Sequence, residues 1–185
     1  QKGGRVPRSV RRSLSPAAVR KLICFLLLFT GLALPAAFGQ NPSYRKVIKA
    51  ADGAFDERDY YNAFKLYEVA LDYPQADLGV KFKYAESARM VQSFWNAKKI
   101  YEEILASENY EEYLAENPGS PVFLTALYLG EMYLIEENCD KAVEYFNRFL
   151  DNNENASDRY LTQARQGISN CAFGEELRSL PPLDT

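Results

Sequence analysis

The chain of 185 residues contains no histidine. Histidine is the commonest general base and a common zinc ligand, so its absence excludes Ser-His and Cys-His catalytic pairs. Cysteine is also scarce: only Cys139 and Cys171 lie outside the N-terminal segment, too few for a thiolate metal site. We therefore expect a protein that is not an enzyme and that has no metal site and no cofactor.

The N-terminal segment is typical of an export signal. Seven basic residues and no acidic residue accompany an uncharged apolar run from Leu22 to Phe38. The run leads into Ala37-Phe38-Gly39, which has small residues at the two positions that signal peptidase recognises. We therefore expect a signal peptide and basic leader over 1–39, with cleavage before Gln40. An uncleaved membrane anchor is the alternative, although the run is short for a spanning helix and contains Pro35 near its end.

The remainder of the chain is acidic. The formal net charge is −3 for the whole chain, and without the leader, which contributes +7, it is −10. An acidic domain repels nucleic acid and anionic lipid headgroups, so neither is an expected partner. Membrane contact is expected only through the leader, if it stays uncleaved.

A helical packing pattern occurs three times in the chain. A small residue is followed four positions later by an aromatic residue, and three further on by another apolar residue. The three sets are Ala63-Tyr67-Ala70, Ala97-Tyr101-Ile104 and Ala142-Phe146-Phe149, and an insertion at 109–119 lengthens the second interval. This spacing forms one face of a helix, and its regular recurrence is typical of stacked helical hairpins. Stacked hairpins usually bind other proteins.

The pattern predicts an all-α domain over 44–172, after a short linker at 40–43. Asp59, Ser93 and Asn138 stand in phase before the second helices and are good N-cap residues. The predicted parts are repeats at about 44–77, 78–108 and 123–156, an acidic insertion at 109–119, a capping helix at 157–172 and a linker tail at 173–185.

These repeats resemble tetratricopeptide repeats, whose unit of about 34 residues matches the interval from Ala63 to Ala97. The third repeat fits best, with Leu129-Gly130 and Tyr133 in its first helix and Ala142 with Phe146 in its second. The family's tryptophan is absent from every repeat. The resemblance covers about 44–171 and implies a solenoid of three helical hairpins plus a C-terminal capping helix, with small residues where paired helices approach closely.

The chain also resembles the N-terminal region of large envelope proteins of Bacteroidota. The leader and the segments ENCDKAVEYFNRFL (137–150) and NCAFGEEL (170–177) show this likeness. In those proteins the repeats precede β-propeller-like repeats and an OmpA-like, peptidoglycan-binding domain, and some serve type IX secretion and gliding. The resemblance implies an exported, periplasmic scaffold associated with the outer membrane.

The partners implied by this resemblance are other envelope proteins or peptide segments. Peptidoglycan is an expected partner only if an OmpA-like domain follows. The alternative is a stand-alone periplasmic adaptor or assembly factor for outer-membrane machinery.

In tetratricopeptide proteins the first helices of the hairpins line a binding groove. The matching positions are Asp52, Phe55, Phe82, Glu86, Arg89, Leu127 and Glu131. Apolar residues beside acids could hold an apolar or basic helix or strand. The alternative is that these side chains pack against the next hairpin or the insertion. A carboxylate clamp for acidic chaperone tails is not expected, because its Lys and Asn positions are apolar and acidic here.

Cys139 and Cys171 are expected to form a disulfide. Cys139 begins the second helix of the third hairpin and Cys171 lies near the end of the last helix, so antiparallel packing brings them together. An exported protein permits the bond. It would close a loop of about 31 residues and contribute roughly 3–4 kcal/mol in the chain-entropy model. The alternative is two buried thiols.

Overall fold

The computed structural model describes residues 43–179. This part of the chain consists of α-helices and one short 3-10 helix, without strands. None of its helices is long and apolar enough to cross a membrane. The predicted signal peptide at 1–39 lies outside the described residues.

The helices follow one another through short connections. In chain order they are α1 (Tyr44–Asp56), α2 (Tyr60–Leu71), α3 (Leu78–Met90), α4 (Phe94–Leu105), α5 (Tyr110–Glu116), the 3-10 helix Pro121–Leu124, α6 (Thr125–Ile135), α7 (Cys139–Asn152) and α8 (Asp158–Ser179). The helices pair as the hairpins α1–α2, α3–α4 and α6–α7, and these stack through α2 on α3, α4 on α6 and α7 on α8. The predicted all-α class, with three hairpins and a final covering helix, is confirmed.

The turn inside each hairpin has the same backbone geometry. Arg58, Gln92 and Glu137 have positive φ angles of 62°, 61° and 58°. The residue after each of them donates its N–H to a carbonyl five positions earlier, as Asp59 does to Ala54 at 2.8 Å. This is the Schellman ending of a helix, which satisfies carbonyls that the helix leaves free. The equivalent turns therefore start each second helix in the same register.

The N-terminal caps of the second helices agree with the prediction at two of three positions. The side chains of Asp59 and Asn138 each accept the N–H of the residue three positions later, at 3.2 Å. Ser93 makes no such bond. Its Oγ instead accepts a hydrogen bond from the side-chain amide of Asn96 at 2.8 Å.

The recurring residues form the core, and each of the nine is at most 1% exposed. The Phe146 ring of α7 lies between two glycines on neighbouring helices. A Cβ added to Gly130 of α6 would lie 2.7 Å from one edge of the ring, and one added to Gly167 of α8 would lie closer still to the opposite edge. Glycine at both positions lets α6 and α8 close on the same ring.

The last helix is longer than predicted. The sequence predicts a capping helix over 157–172 and a linker from 173, but α8 continues to Ser179. The segment 173–179 contains no proline, and Pro181-Pro182 comes only after it. Because proline disfavours helix at the residue before it, the helix has no strong breaker until that point.

Candidate functional site

The first helix of each hairpin places an acidic residue at the same repeat position: Asp52, Glu86 and Glu131. In the first two hairpins, a buried tyrosine of the second helix donates its hydroxyl to this carboxylate. Tyr67 bonds to Asp52 at 2.6 Å, and Tyr101 bonds to Glu86. A buried hydroxyl needs an acceptor, so the carboxylate also satisfies the core tyrosine.

The third hairpin departs from this arrangement because Phe146 replaces the tyrosine and has no hydroxyl to donate. Glu131 instead accepts a hydrogen bond from the side-chain amide of Gln163 in α8. The final helix therefore supplies the partner that the hairpin lacks.

Arg89 of α3 connects the second hairpin to the third. Its Nε and Nη2 donate to the two carboxylate oxygens of Glu86 at 3.0 and 2.8 Å. Its Nη1 lies 3.7 Å from Glu131, and its guanidinium stacks 4.2 Å from the centroid of the Tyr128 ring. A guanidinium can donate two parallel hydrogen bonds to the two oxygens of one carboxylate, and the tyrosine ring adds a cation–π contact.

Lys83 makes the corresponding link between the first two hairpins, with its Nζ 2.7 Å from an oxygen of Asp52. We call Asp52, Lys83, Glu86, Arg89, Glu131 and Gln163 the charged row. It runs across α1, α3 and α6 to α8. Its three carboxylates face two cations, so the row carries one surplus negative charge.

The two ends of the row differ in their electrostatics. Burial raises the pKa of Glu131, and the contacts from Gln163 and Arg89 offset that effect only in part. Burial also acts on Asp52, but the hydrogen bonds from Lys83 and Tyr67 outweigh it and lower the pKa of this carboxyl. Ionisation of Glu131 is therefore disfavoured by the fold, whereas ionisation of Asp52 is favoured.

Two of the predicted groove residues lie in the core instead. Phe82 is 3% exposed and Leu127 is 0% exposed, so a partner cannot reach them. The Phe82 ring packs against Tyr101 and Tyr128, with ring centroids 6.0 and 6.2 Å away. For these two residues the alternative reading, packing within the stack, is correct.

The remaining predicted groove residues are partly accessible. The side chains of Glu86, Arg89 and Glu131 are 13%, 22% and 25% exposed, and that of Asp52 is 37% exposed. Phe55 is half-buried and packs edge-on against the ring of Tyr60 in its own hairpin. The structure thus brings the charged members of the predicted set into one row, while Phe82 and Leu127 lie beneath the surface.

Sequence reasoning missed Lys83, Tyr128 and Gln163. One signal was present for Gln163: Glu131 keeps the acidic position of the repeat, while Phe146 lacks the hydroxyl found in the other two repeats. A retained acid without its usual donor indicates a partner from elsewhere in the fold. No comparable signal in the repeats indicates Lys83 or Tyr128.

Cys139 and Cys171 form the predicted disulfide, with their Cα atoms 5.4 Å apart. The bond joins the start of α7 to a point past the middle of α8, because α8 continues beyond the end predicted from the sequence. It therefore holds the helix that supplies Gln163 against the third hairpin. Between residues 43 and 179, no group of three or more His, Cys, Asp or Glu residues is placed to hold a metal ion.

No protein-family model and no curated protein matches the chain.

Proposed function

We propose that this protein is a non-enzymatic protein–protein interaction scaffold of the tetratricopeptide type, acting in the bacterial periplasm near the outer membrane. The observation that supports it most directly is the charged row, which crosses all three hairpins with partly accessible side chains. Stacked hairpins present such a row as one extended surface, which suits a peptide segment or a helix of a partner.

The chemistry of the row indicates how a partner would be recognised. Phe82 and Leu127 are inaccessible, so recognition would be polar rather than apolar. The surplus negative charge favours a basic partner segment, and Arg89, whose type is common among interface hot spots, lies at the centre of the row. Association through such charges should weaken as salt is added.

A site-specific photo-crosslinker tests this proposal. A benzoyl-phenylalanine at Met90, which follows Arg89 and is 47% exposed, would report partners of the row. The matched control is the same group at Val69, which is 43% exposed on the second helix of hairpin one. We expect adducts from position 90 that are absent from position 69 and that weaken as salt is added. Identical adducts from both positions would contradict the proposal.

Export is tested by the N-terminus of the secreted product. The proposal expects cells expressing the chain to yield a periplasmic form that begins at Gln40. A product that keeps residues 1–39 and sediments with membranes would favour the anchor, and a cytoplasmic product would contradict export.

The wider assignment, as the repeat arm of an OmpA-like, peptidoglycan-associated protein of type IX secretion or gliding, is supported by the resemblance of the sequence. The second candidate is a stand-alone adaptor for outer-membrane machinery. Sequencing the coding DNA beyond Thr185 distinguishes them: in-frame β-propeller-like repeats and an OmpA-like domain support the first, and a stop codon supports the second.

A further inference from the structure

The insertion at 109–119 creates a cleft that shares no residue with the charged row. Helix α5 of the insertion lies near the C-terminal end of α7, and between them is a cleft of about 380 Å³. Its lining includes Leu114, Asn117, Phe123, Asn152, Asn153 and Glu154. This volume is at the lower end of the roughly 300–1,000 Å³ found for ligand pockets, so the cleft suits a single side chain or a small molecule.

Three asparagines of the cleft are held in the same way. The Nδ2 atoms of Asn117, Asn152 and Asn153 donate to the backbone carbonyl four positions earlier, at 2.9, 2.8 and 3.0 Å. Each amide thus uses one of its two N–H donors on the end of its own helix, and no described hydrogen bond uses its carbonyl oxygen Oδ1. The cleft therefore offers three acceptor oxygens to a ligand, beside the second N–H of each amide.

The electrostatics of the cleft favour a cation. Asn152 is the last residue of α7 and Asn153 is its C-cap, so the negative end of this helix dipole faces the cleft. Glu154 adds a carboxylate, and none of the described lining residues is a lysine or arginine. The nearby Arg148 lines an adjoining cleft with Tyr110 and Glu111.

One wall of the cleft is apolar and firmly held. Phe123 stacks on Phe149, with ring centroids 6.4 Å apart, and packs edge-on against Tyr160 at 6.2 Å. Leu114 of α5 also lines the cleft. The cleft therefore suits a ligand that combines an apolar stem with a positively charged head that donates hydrogen bonds.

We propose that this cleft binds a primary alkylammonium group, such as the side chain of a lysine in a partner polypeptide. An ammonium has three N–H donors, a positive charge and no acceptor, which complements the three Oδ1 atoms and the helix end. Its aliphatic stem can lie along the apolar wall, as lysine stems do on other surfaces. A free alkylamine has the same chemistry.

The side-chain amide signals of the ¹⁵N-labelled full chain test the proposal directly. The probes are acetyl-lysine methylamide, n-pentylammonium and, as the control without charge, acetyl-norleucine methylamide. We expect the lysine and pentylammonium probes to shift the signals of Asn117, Asn152 and Asn153, and the norleucine probe to leave them unchanged. A response to the lysine probe alone indicates a polypeptide source, and a response to pentylammonium alone indicates a free amine. No response, or an equal response to norleucine, overturns the proposal.

A charge variant provides the second test. Asn152→Lys places an ammonium of the chain itself at the cleft, and repulsion between like charges about 4 Å apart in water should weaken binding of the lysine probe about fivefold. Asn147→Lys adds the same charge at an exposed position of the same helix outside the cleft, and binding should be unchanged. Glu154→Gln removes a charge in the exposed loop and should also weaken binding. Unchanged binding in both Asn152→Lys and Glu154→Gln overturns the proposal.

Discussion

Replacing single glycines by alanine should have opposite effects in different helices of this protein. Gly167→Ala and Gly130→Ala each add a methyl group against an edge of the Phe146 ring, at a distance of 2.7 Å for Gly130 and less for Gly167. The ring is 1% exposed and packs in the core, so it cannot turn away into solvent. Gly53 is also helical, but a Cβ there meets nothing within 4 Å.

The expected free energies follow from two opposing effects. Alanine favours a helix over glycine by about 1 kcal/mol. Overpacking a filled core costs about 1–3 kcal/mol. Gly53→Ala gains only the first effect and should raise the free energy of unfolding by up to about 1 kcal/mol. Gly167→Ala has the shorter contact and should lower it by as much as about 2 kcal/mol, with Gly130→Ala between the two variants.

Urea unfolding followed by far-ultraviolet circular dichroism measures these differences. A further variant tests the cause: Phe146→Leu should cost less in the Gly167→Ala background than in the wild type, because the smaller side chain relieves the clash. A Gly167→Ala protein more stable than the wild type would refute the reasoning, as would additive effects of the two substitutions.

Three further predictions concern the charged row and the final helix. Tyr101→Phe removes a bond to a carboxylate and should lower the free energy of unfolding by about 1.5–3 kcal/mol. Tyr67→Phe should cost less, because the carboxylate of Asp52 is more exposed than that of Glu86 and water can replace the lost donor; the reverse order in urea unfolding would contradict this. Replacing Cys139 and Cys171 with serine should cost about 3–4 kcal/mol and increase hydrogen exchange most in α8; uniform exchange across the helices would contradict it. Burial raises the pKa of Glu131, so the folded state binds the proton of this carboxyl more tightly than the unfolded state does. The wild type should therefore lose stability relative to Glu131→Gln as pH rises above 4.5. A difference in stability that does not change with pH would contradict this.

The fold was largely predictable because the recurring pattern consists of core residues. Small residues such as Ala63 and Ala97 let helices approach, and the aromatic residues four positions later fill the space between hairpins. Packing imposes the same requirement in each repeat, so the regular interval is visible in the sequence. The disulfide was predictable for a related reason, since antiparallel packing places the start of α7 beside the later part of α8.

The functional surface was less predictable. A repeat position indicates which side of a helix a residue occupies, but not whether a neighbouring ring covers it. Phe82 lies at a groove position, yet Tyr101 and Tyr128 enclose it. Phe146 lacks a hydroxyl, so the sequence indicates that Glu131 needs another donor, but only the structure shows that Gln163 of the final helix supplies it.

The insertion lies between two helices that pack against each other, so neighbours in space are not neighbours along the chain here. Helices α4 and α6 pack directly on each other although 109–119 intervenes between them. Extra loop length costs little free energy, so relatives of this chain could lengthen, shorten or lose the segment while the hairpins stay stacked. Such changes would remodel the cleft beside α5 and leave the charged row intact. Selection could therefore change the chemistry of one surface without altering that of the other.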